Sequence, residues 1–293
     1  MELTFDLLLV AQMVALGLVA GTLGGLLGVG GSTILIPGLT LLLGYNQHLY
    51  QAAAMIANVA VSVPAALRHH RAGAMSTAAL RWMLPMALVF VLVGVWLSNR
   101  DVFRGDVGGL WLGRVLAVFL VYVIGVNVHR LVRPRDRSGS GPRSSQEDTG
   151  QAKLPATGNA LARGVPVRRG SAAAVGVVMG TIAGMLGIGG GAVAVPLQQV
   201  ALGLPLRSCI ANSSAVICLS ATLGAVYKNA SLIEHGYDWH QSISLALLLA
   251  PSCWLGGHLG AGLTYYLPVR QVRIAFVALM VVAAVKMAAV IGT

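Results

Sequence analysis

Two stretches of this sequence combine strong hydrophobicity with an unusual number of glycines. GTLGGLLGVGGSTILIP runs from Gly21 to Pro37, and GTIAGMLGIGGGAVAVP runs from Gly180 to Pro196. Because glycine and proline both weaken a helix, we predict a helix break within each stretch. The helical segment that follows a break begins with free N–H groups, and such a helix N-terminus favours anions. Glycine also allows an anion to approach the backbone closely.

Polar side chains near these breaks complete the predicted binding site. The tripeptide Ile-Ala-Asn occurs twice, ending at Asn58 and at Asn212, and an amide group in a membrane can donate a hydrogen bond to an oxyanion. Two alternatives stay open: an asparagine can simply hold two helices together, and small residues such as Gly21 and Gly25 permit close helix packing. The predicted substrate-binding residues are Gly30, Gly31, Ser32, Asn58, Gly189, Gly190, Gly191, Asn212 and Ser213.

The composition places the elements that carry these residues in a membrane. Apolar residues make up 56% of the 293 residues and charged residues only 10%, whereas soluble proteins carry about 25% charge. The N-terminus carries Glu2 and Asp6 without a basic residue, so we do not expect a secretory signal peptide. Apolar runs that are long enough to cross a bilayer are predicted at 7–43, 51–67, 78–99, 110–131, 171–203, 209–227, 242–264 and 270–291.

The two glycine stretches match at a constant offset of 159 residues, which indicates an internal duplication. We predict a first transmembrane repeat at 1–132, a flexible basic linker at 133–169 and a second transmembrane repeat at 170–293. The region from 130 to 169 holds nine basic and three acidic residues. Its charge predicts a cytoplasmic position and contact with anionic lipid. Nucleic acid is not an expected partner, because no aromatic residues or recognition motif accompany the charge.

The charges of the loops predict that the two repeats face opposite sides of the membrane. Arg68 and Arg71 flank a loop that we expect in the cytoplasm, whereas the equivalent loop of the second repeat carries Glu234 and Asp238. An inverted repeat requires an odd number of crossings in each half, so each glycine-broken first segment should form two short or re-entrant pieces. The predicted fold is an all-α polytopic membrane protein built from two inverted repeats. A parallel repeat of eight spans is the alternative.

The acidic residues narrow the class of cargo. The chain contains nine of them, and none falls in the middle of a predicted span. Because carriers of cations usually need a carboxylate inside the membrane, this distribution favours an anion. No zinc-protease, serine-nucleophile or paired-carboxylate pattern is present, so we do not expect an enzyme. The cysteines form no CxxC pair, and we expect no disulfide, metal or cofactor.

Three basic residues at the span ends and one histidine within a span receive structural interpretations. Arg68, Arg207 and Lys228 are interpreted as topology signals or lipid anchors, with guidance of an anion as the alternative. His258 is interpreted as a packing residue, with proton coupling as the alternative.

The doubled motif resembles the signature of the TauE/SafE sulfite exporter family. The resemblance is carried by GGLLGVGGSTILIPGL and AGMLGIGGGAVAVPL, with support from RHHRAGAM and from GGHLGAGLTYYLPVRQVRIAF. It implies an inner-membrane permease for sulfur oxyanions, with Gly30, Gly31 and Gly189–Gly191 at the site. One departure is Ser32, which stands where the second motif has Gly191, so the two half-sites need not be equivalent.

These observations together predict a secondary transporter that exports a small sulfur-containing oxyanion, such as sulfite or an organosulfonate, across the bacterial inner membrane. An anion channel, a carrier of another small organic anion such as a carboxylate, and a membrane scaffold without transport are the alternatives. The expected partners are the anionic substrate, membrane lipid and a second copy in a homodimer, since two-fold assemblies are the commonest.

Overall fold

The protein was analysed as a computed structural model, which describes residues 7–44, 46–100 and 167–267, with single residues between 111 and 129 and between 274 and 281. The described part is helical and contains no β-strand, which confirms the predicted all-α class. The α-helices are α1 (Leu7–Leu27), α2 (Ser32–Leu43), α3 (Gln47–Arg71), α4 (Thr77–Ser98), α5 (Arg169–Leu186), α6 (Gly191–Ala201), α7 (Leu206–Ala230) and α8 (Trp239–Leu263). A short 3₁₀ helix, Leu232–His235, follows α7.

Six of these helices, α1, α3, α4, α5, α7 and α8, are long and apolar enough to cross a membrane. Large apolar side chains cover their outer faces: Val226 is 69% exposed and Leu247 is 67% exposed. So much apolar surface suits contact with lipid. The predicted spans at 110–131 and 270–291 and nearly all of the linker at 133–169 lie outside the described residues, so the division into two repeats and a linker stays a prediction.

The predicted breaks are present in both glycine stretches. α1 ends at Leu27 and α2 begins at Ser32, while α5 and α6 are separated in the same way by residues 187–190. Gly30 and Gly189 have φ angles of +83° and +73°, a conformation that residues with a Cβ atom rarely adopt. α2 then turns back along α1, because Gly31 lies beside Ala20 whereas Gly38 lies beside Leu16. The first segment of this half is therefore a helical hairpin.

Close packing explains a second group of glycines. α1 packs along α8, and α5 packs along α4, so the first helix of each half contacts the fourth helix of the other half. A Cβ atom on Gly21 would lie 2.5 Å from the carbonyl oxygen of Cys253, and a Cβ atom on Gly180 would lie 2.5 Å from that of Ala87. The small residue at each position lets two helix backbones touch, as the packing interpretation of these glycines predicts.

Replacement of Gly180 by valine is expected to destabilise the protein. The added side chain would overlap the backbone of α4, and overpacking of this kind typically costs about 1–3 kcal/mol. The measurement is the midpoint of thermal unfolding in detergent. Gly170→Val on the same helix is the matched control, because no atom lies within 4 Å of the position of its Cβ. Equal midpoints for the two variants would contradict the packing role of Gly180.

Helices α3 and α7, which follow the broken segment in each half, run in opposite directions. The Nζ atom of Lys228 lies 3.0 Å from Nδ1 of His48, and seven residues further along α3 Met55 lies beside Gly224. The residue numbers on α7 therefore fall as those on α3 rise. Opposite directions of equivalent helices are what an inverted repeat requires. The inverted arrangement of the whole chain stays a prediction, because the last span of each half lies outside the described residues.

The acidic residue before α8 has a structural role. Asp238 caps α8: its Oδ1 atom accepts a hydrogen bond from the N–H of His240 at 3.0 Å and lies 2.7 Å from Nδ1 of the same histidine. These contacts, the backbone hydrogen bond first, lower the pKa of the carboxyl group. Asp238 is accordingly an exposed cap outside the spans.

Candidate functional site

The two glycine breaks lie against each other in the interior of the bundle. A Cβ atom on Gly30 would lie 3.4 Å from the carbonyl oxygen of Ile188, and one on Gly191 would lie 2.8 Å from the Cα atom of Val29. Every residue of both breaks is buried. The fold thus brings together the N-termini of α2 and α6, which are 159 residues apart in the sequence.

Asn58 of α3 lies where the two breaks meet. Its side chain is fully buried; Oδ1 accepts a hydrogen bond from the N–H of Ser32 at 3.0 Å, and Nδ2 donates one to Oγ of Ser32 at 2.7 Å. A Cβ atom on Gly30 would lie 3.1 Å from Oδ1, and one on Gly189 would lie 3.0 Å from Nδ2. Asn58 therefore caps α2 from a neighbouring helix, and its amide oxygen occupies the place that an oxyanion would take.

The N-terminus of α6 has no such cap. Ile217 of α7 takes the position equivalent to Asn58. A Cβ atom on Gly189 would lie 3.3 Å from Cγ2 of Ile217, and a Cβ atom on Gly191 would lie 2.8 Å from Cδ1 of the same residue. An aliphatic side chain offers no acceptor, and no side chain of the described residues accepts a hydrogen bond from Gly191 or Ala192. The atom nearest to a Cβ atom on Gly191 would be the carbonyl oxygen of Gly28 in the other break. Within the described part of the chain, the N–H groups of Gly191 and Ala192 form no hydrogen bond. Donors that are buried without a partner favour an added acceptor such as an anion.

Asn212 lies in a different environment. Its Oδ1 atom accepts a hydrogen bond from the N–H of Ser76 at 2.9 Å, and its Nδ2 atom donates one to Oε1 of Gln198 at 3.2 Å. Gln198 in turn donates to Oγ of Ser213 at 2.9 Å. This network connects α7 to α6 and to the start of α4. Asn212 therefore holds helices together, which is the alternative role that an asparagine in a membrane can have. The asparagines of the repeated Ile-Ala-Asn are therefore not structurally equivalent, and Asn58 is the one that lies at the breaks.

A residue that the sequence reasoning missed is Gln51. Its side chain is fully buried, and neither amide atom has a hydrogen-bond partner within the described residues. Its Cβ atom lies 2.9 Å from the position that a Cβ atom on Gly187 would take. The spacing of polar residues along α3 could have identified Gln51. The buried polar residues of this helix include His48, Gln51, Asn58 and Ser62, at spacings of three, seven and four residues, which place them on one face of a helix. They form a polar stripe along a buried helix.

The basic residues of the bundle divide between its two ends. Nη1 of Arg68 donates a hydrogen bond to the carbonyl oxygen of His258 at 3.1 Å, and Arg207 lies 5.6 Å from the ring of Tyr265. Burial raises the pKa of the Tyr265 phenol. Lys228 lies at the opposite end and is fully buried, so its interpretation as a lipid anchor is wrong.

A small cavity opens at the end of the bundle where α3 begins. Its volume is about 160 Å³, and its lining includes Asn46, Tyr50, Tyr237 and Gln241. Oη of Tyr237 donates a hydrogen bond to Oδ1 of Asn46 at 2.8 Å. Asn46 and Tyr50 place this cavity at the same end of α3 as His48 and Gln51, and its volume is large enough for an anion of a few atoms.

Comparison with known proteins gives a match over nearly the whole chain. The family described as Sulfite exporter TauE/SafE matches residues 13–287. The chain is 29% identical to the probable membrane transporter protein MamO of Paramagnetospirillum magneticum, over 95% of this chain and 44% of MamO. It is 28% identical to MamO of Magnetospirillum gryphiswaldense, over 95% of this chain and 45% of that protein. The chain therefore spans less than half the length of these relatives.

A shorter relative matches over most of both chains. The probable membrane transporter protein YunE of Bacillus subtilis is 25% identical, over 86% of this chain and 87% of YunE. No solved structure matches the chain.

Proposed function

Because the chain belongs to the sulfite exporter TauE/SafE family, we propose that it is a secondary transporter that exports a small sulfur-containing oxyanion, such as sulfite or an organosulfonate, across the bacterial inner membrane. The linker at 133–169 is then cytoplasmic. The family supports transport and sulfur, while the geometry of the breaks supports an anion. MamO and YunE are both described as probable membrane transporter proteins, which agrees with the class of function.

The uncapped N-terminus of α6 is the observation that carries the proposal. The anion accepts hydrogen bonds from the N–H groups of Gly191 and Ala192, beside the Nδ2 atom of Asn58 at Gly189. The first turn of a helix stabilises negative charge, and burial strengthens that interaction. None of the helices α1–α8 contains Asp or Glu, so no carboxylate within them repels the anion.

Gln51 is the second polar group that we assign to the anion path. Its unpartnered amide lies beside Gly187, at the end of α5, and one helical turn from His48. An amide in this place offers N–H donors to an oxyanion that moves between the cavity at the start of α3 and the breaks. Asn212 and Ser213 are left out of the proposed site, because their hydrogen bonds join α7 to Ser76 and Gln198, whereas those of Asn58 are to Ser32 at the first break.

The test of this function is exchange of labelled sulfite in proteoliposomes. Liposomes loaded with unlabelled sulfite should take up external label faster than protein-free liposomes, and the rate should saturate. Excess taurine, sulfoacetate and sulfate then rank the sulfur oxyanions, while acetate tests for a carboxylate carrier. A linear current without counterflow would indicate a channel. Absence of any anion-dependent flux would contradict the transport proposal and favour a scaffold.

A further inference from the structure

Two arginines share one tryptophan ring where α4 and α5 begin. The guanidinium carbon of Arg169 lies 5.5 Å from the centre of the Trp82 ring, and that of Arg81 lies 6.0 Å from it. Both distances are within the range of a cation–π contact. Arg81 belongs to α4 in the first half of the chain, and Arg169 belongs to α5 in the second half. We call these three residues and the neighbouring Arg168 the arginine cluster.

The arginine cluster has no anionic partner in the described part of the chain. Its three guanidinium groups are exposed, and they form no ion pair or hydrogen bond with the described residues. The acidic residues of the described part, Glu234 and Asp238, follow α7 at the opposite end of the bundle. Because like charges that gather at one place repel one another, the cluster favours an added anion.

The helix termini add positive potential at the same place. No side chain caps α4 or α5. The two helices run in the same direction, because Gly176 lies beside Met83 and Gly180 lies beside Ala87. A helix N-terminus carries partial positive charge, and its first N–H groups have no partner within the helix. Two positive helix ends therefore lie side by side, next to the arginines.

The arginine cluster lies where lipid headgroups are expected. Trp82 is 38% exposed, and α4 and α5 are both long and apolar enough to cross a membrane. Tryptophan is enriched at the depth of the headgroups. Arg68 and Arg71 at the end of α3 and Arg207 at the start of α7 lie at the same end of the bundle. So many basic residues at one end predict that it faces the cytoplasm.

We propose that the arginine cluster binds the phosphate group of an anionic phospholipid in the cytoplasmic leaflet. A guanidinium group that lies over an aromatic ring keeps its N–H donors available for two oxygens of a phosphate. The acyl chains then cover the outer faces of α4 and α5, where Val89 and Val178 are exposed. Because one headgroup contacts Arg81 and Arg169, the lipid joins the two halves of the chain at this surface. Lipid binding here does not depend on which anion is transported.

The experiment measures the midpoint of thermal unfolding of the full chain in mixed micelles of detergent and phosphatidylcholine, to which phosphatidylglycerol is added. We expect the midpoint to rise and then saturate, because the lipid binds the folded state. Arg81→Gln and Arg169→Gln should each weaken the apparent affinity for phosphatidylglycerol about fivefold, and the double variant about 30-fold. These values follow from the contribution of one arginine near an anionic membrane surface.

Arg100→Gln is the matched control. The guanidinium carbon of Arg100 lies 3.7 Å from the ring of Trp96, so it has the same kind of contact on α4 but at the opposite end of the helix. Its replacement should change the affinity less than about twofold. A loss equal to that of Arg169→Gln would indicate unspecific attraction of anionic lipid and would overturn the proposed site. Inorganic phosphate without phosphatidylglycerol should leave the midpoint unchanged, and an equal rise would indicate a site for soluble phosphate instead.

Deletion of residues 138–160 tests whether the linker competes with the lipid. It removes the acidic residues Glu147 and Asp148, and the affinity for phosphatidylglycerol should stay within about twofold of the wild type. Dependence on phosphatidylglycerol that arises only after the deletion would show that a carboxylate of the linker occupies the arginine cluster, and would overturn the lipid proposal. A wild-type midpoint that phosphatidylglycerol does not change would overturn it as well.

Discussion

Replacement of Asn58 by aspartate is expected to reduce sulfite exchange by about 100-fold while the protein still folds. The aspartate side chain has nearly the same shape. Its two oxygens can accept hydrogen bonds from the N–H and the hydroxyl group of Ser32, so α2 stays capped. It adds a fixed negative charge where the two breaks meet. At about 5 Å from a bound anion, with an effective dielectric constant near 20, the repulsion is about 3 kcal/mol, which corresponds to this loss.

Asn212→Asp is the matched control for this prediction. It introduces the same charge at the other Ile-Ala-Asn, but in the network of Ser76 and Gln198. We expect a loss below tenfold, because this side chain joins helices and does not contact either break. Labelled sulfite exchange in proteoliposomes, normalised to the amount of folded protein, measures both. Equal losses of exchange would indicate that Asn58 and Asn212 contribute equally to anion binding. Full activity of Asn58→Asp would show that Asn58 does not take part in the site.

The helix breaks could be predicted from the sequence because their cause is local. Glycine determines the backbone conformations available to Gly30 and Gly189, so the residue types alone indicate where each helix ends. The same glycines match at a constant offset, and this match is what predicts a duplication. The structure differs from the sequence interpretation where the position of a residue depends on contacts with distant helices.

The pairing of Asn58 with Asn212 shows this difference. Their offset is 154 residues, whereas the glycine motifs match at 159 and give Ile217 as the equivalent position. Five residues correspond to about 140° of rotation around a helix beyond one full turn. Asn212 therefore faces another side of α7, although its neighbouring residues are the same as those of Asn58. Identity of a short motif could not indicate which face of the helix it occupies.

Lys228 was misassigned for a related reason. Basic residues near the ends of spans usually reach the membrane surface, and Lys228 is in the last turn of α7. Its burial results from Ser98 and Asn99 at the end of α4, about 130 residues away, and from His48, which is 180 residues away. Only the packing of three helices shows that this end of α7 is enclosed. The separation in sequence is the physical reason that no local pattern predicted it.

Replacement of Ile217 by asparagine should cap the N-terminus of α6, which has no side-chain cap among the described residues. The amide oxygen of the new side chain would accept from the N–H of Gly191, as Asn58 accepts from Ser32 in the other half. A cap of this kind contributes about 1 kcal/mol, which offsets only part of the roughly 2–5 kcal/mol that loss of a buried aliphatic side chain costs, so the midpoint of thermal unfolding should fall and exchange is normalised to folded protein. The anion would lose the donors that bind it, and we expect sulfite exchange to fall by about 10- to 100-fold, the equivalent of one or two charge-assisted hydrogen bonds.

The control for this variant is Ile217→Leu, which keeps the volume and offers no acceptor. It should exchange sulfite at nearly the wild-type rate, and comparison of the two variants separates capping from a change of packing. Normal exchange by Ile217→Asn would show that the anion does not use the N-terminus of α6. Loss of exchange in both variants would instead assign Ile217 a packing role. We expect loss of exchange with asparagine and normal exchange with leucine. This pattern would indicate that the anion binds to the N–H groups of Gly191 and Ala192, which a cap would occupy.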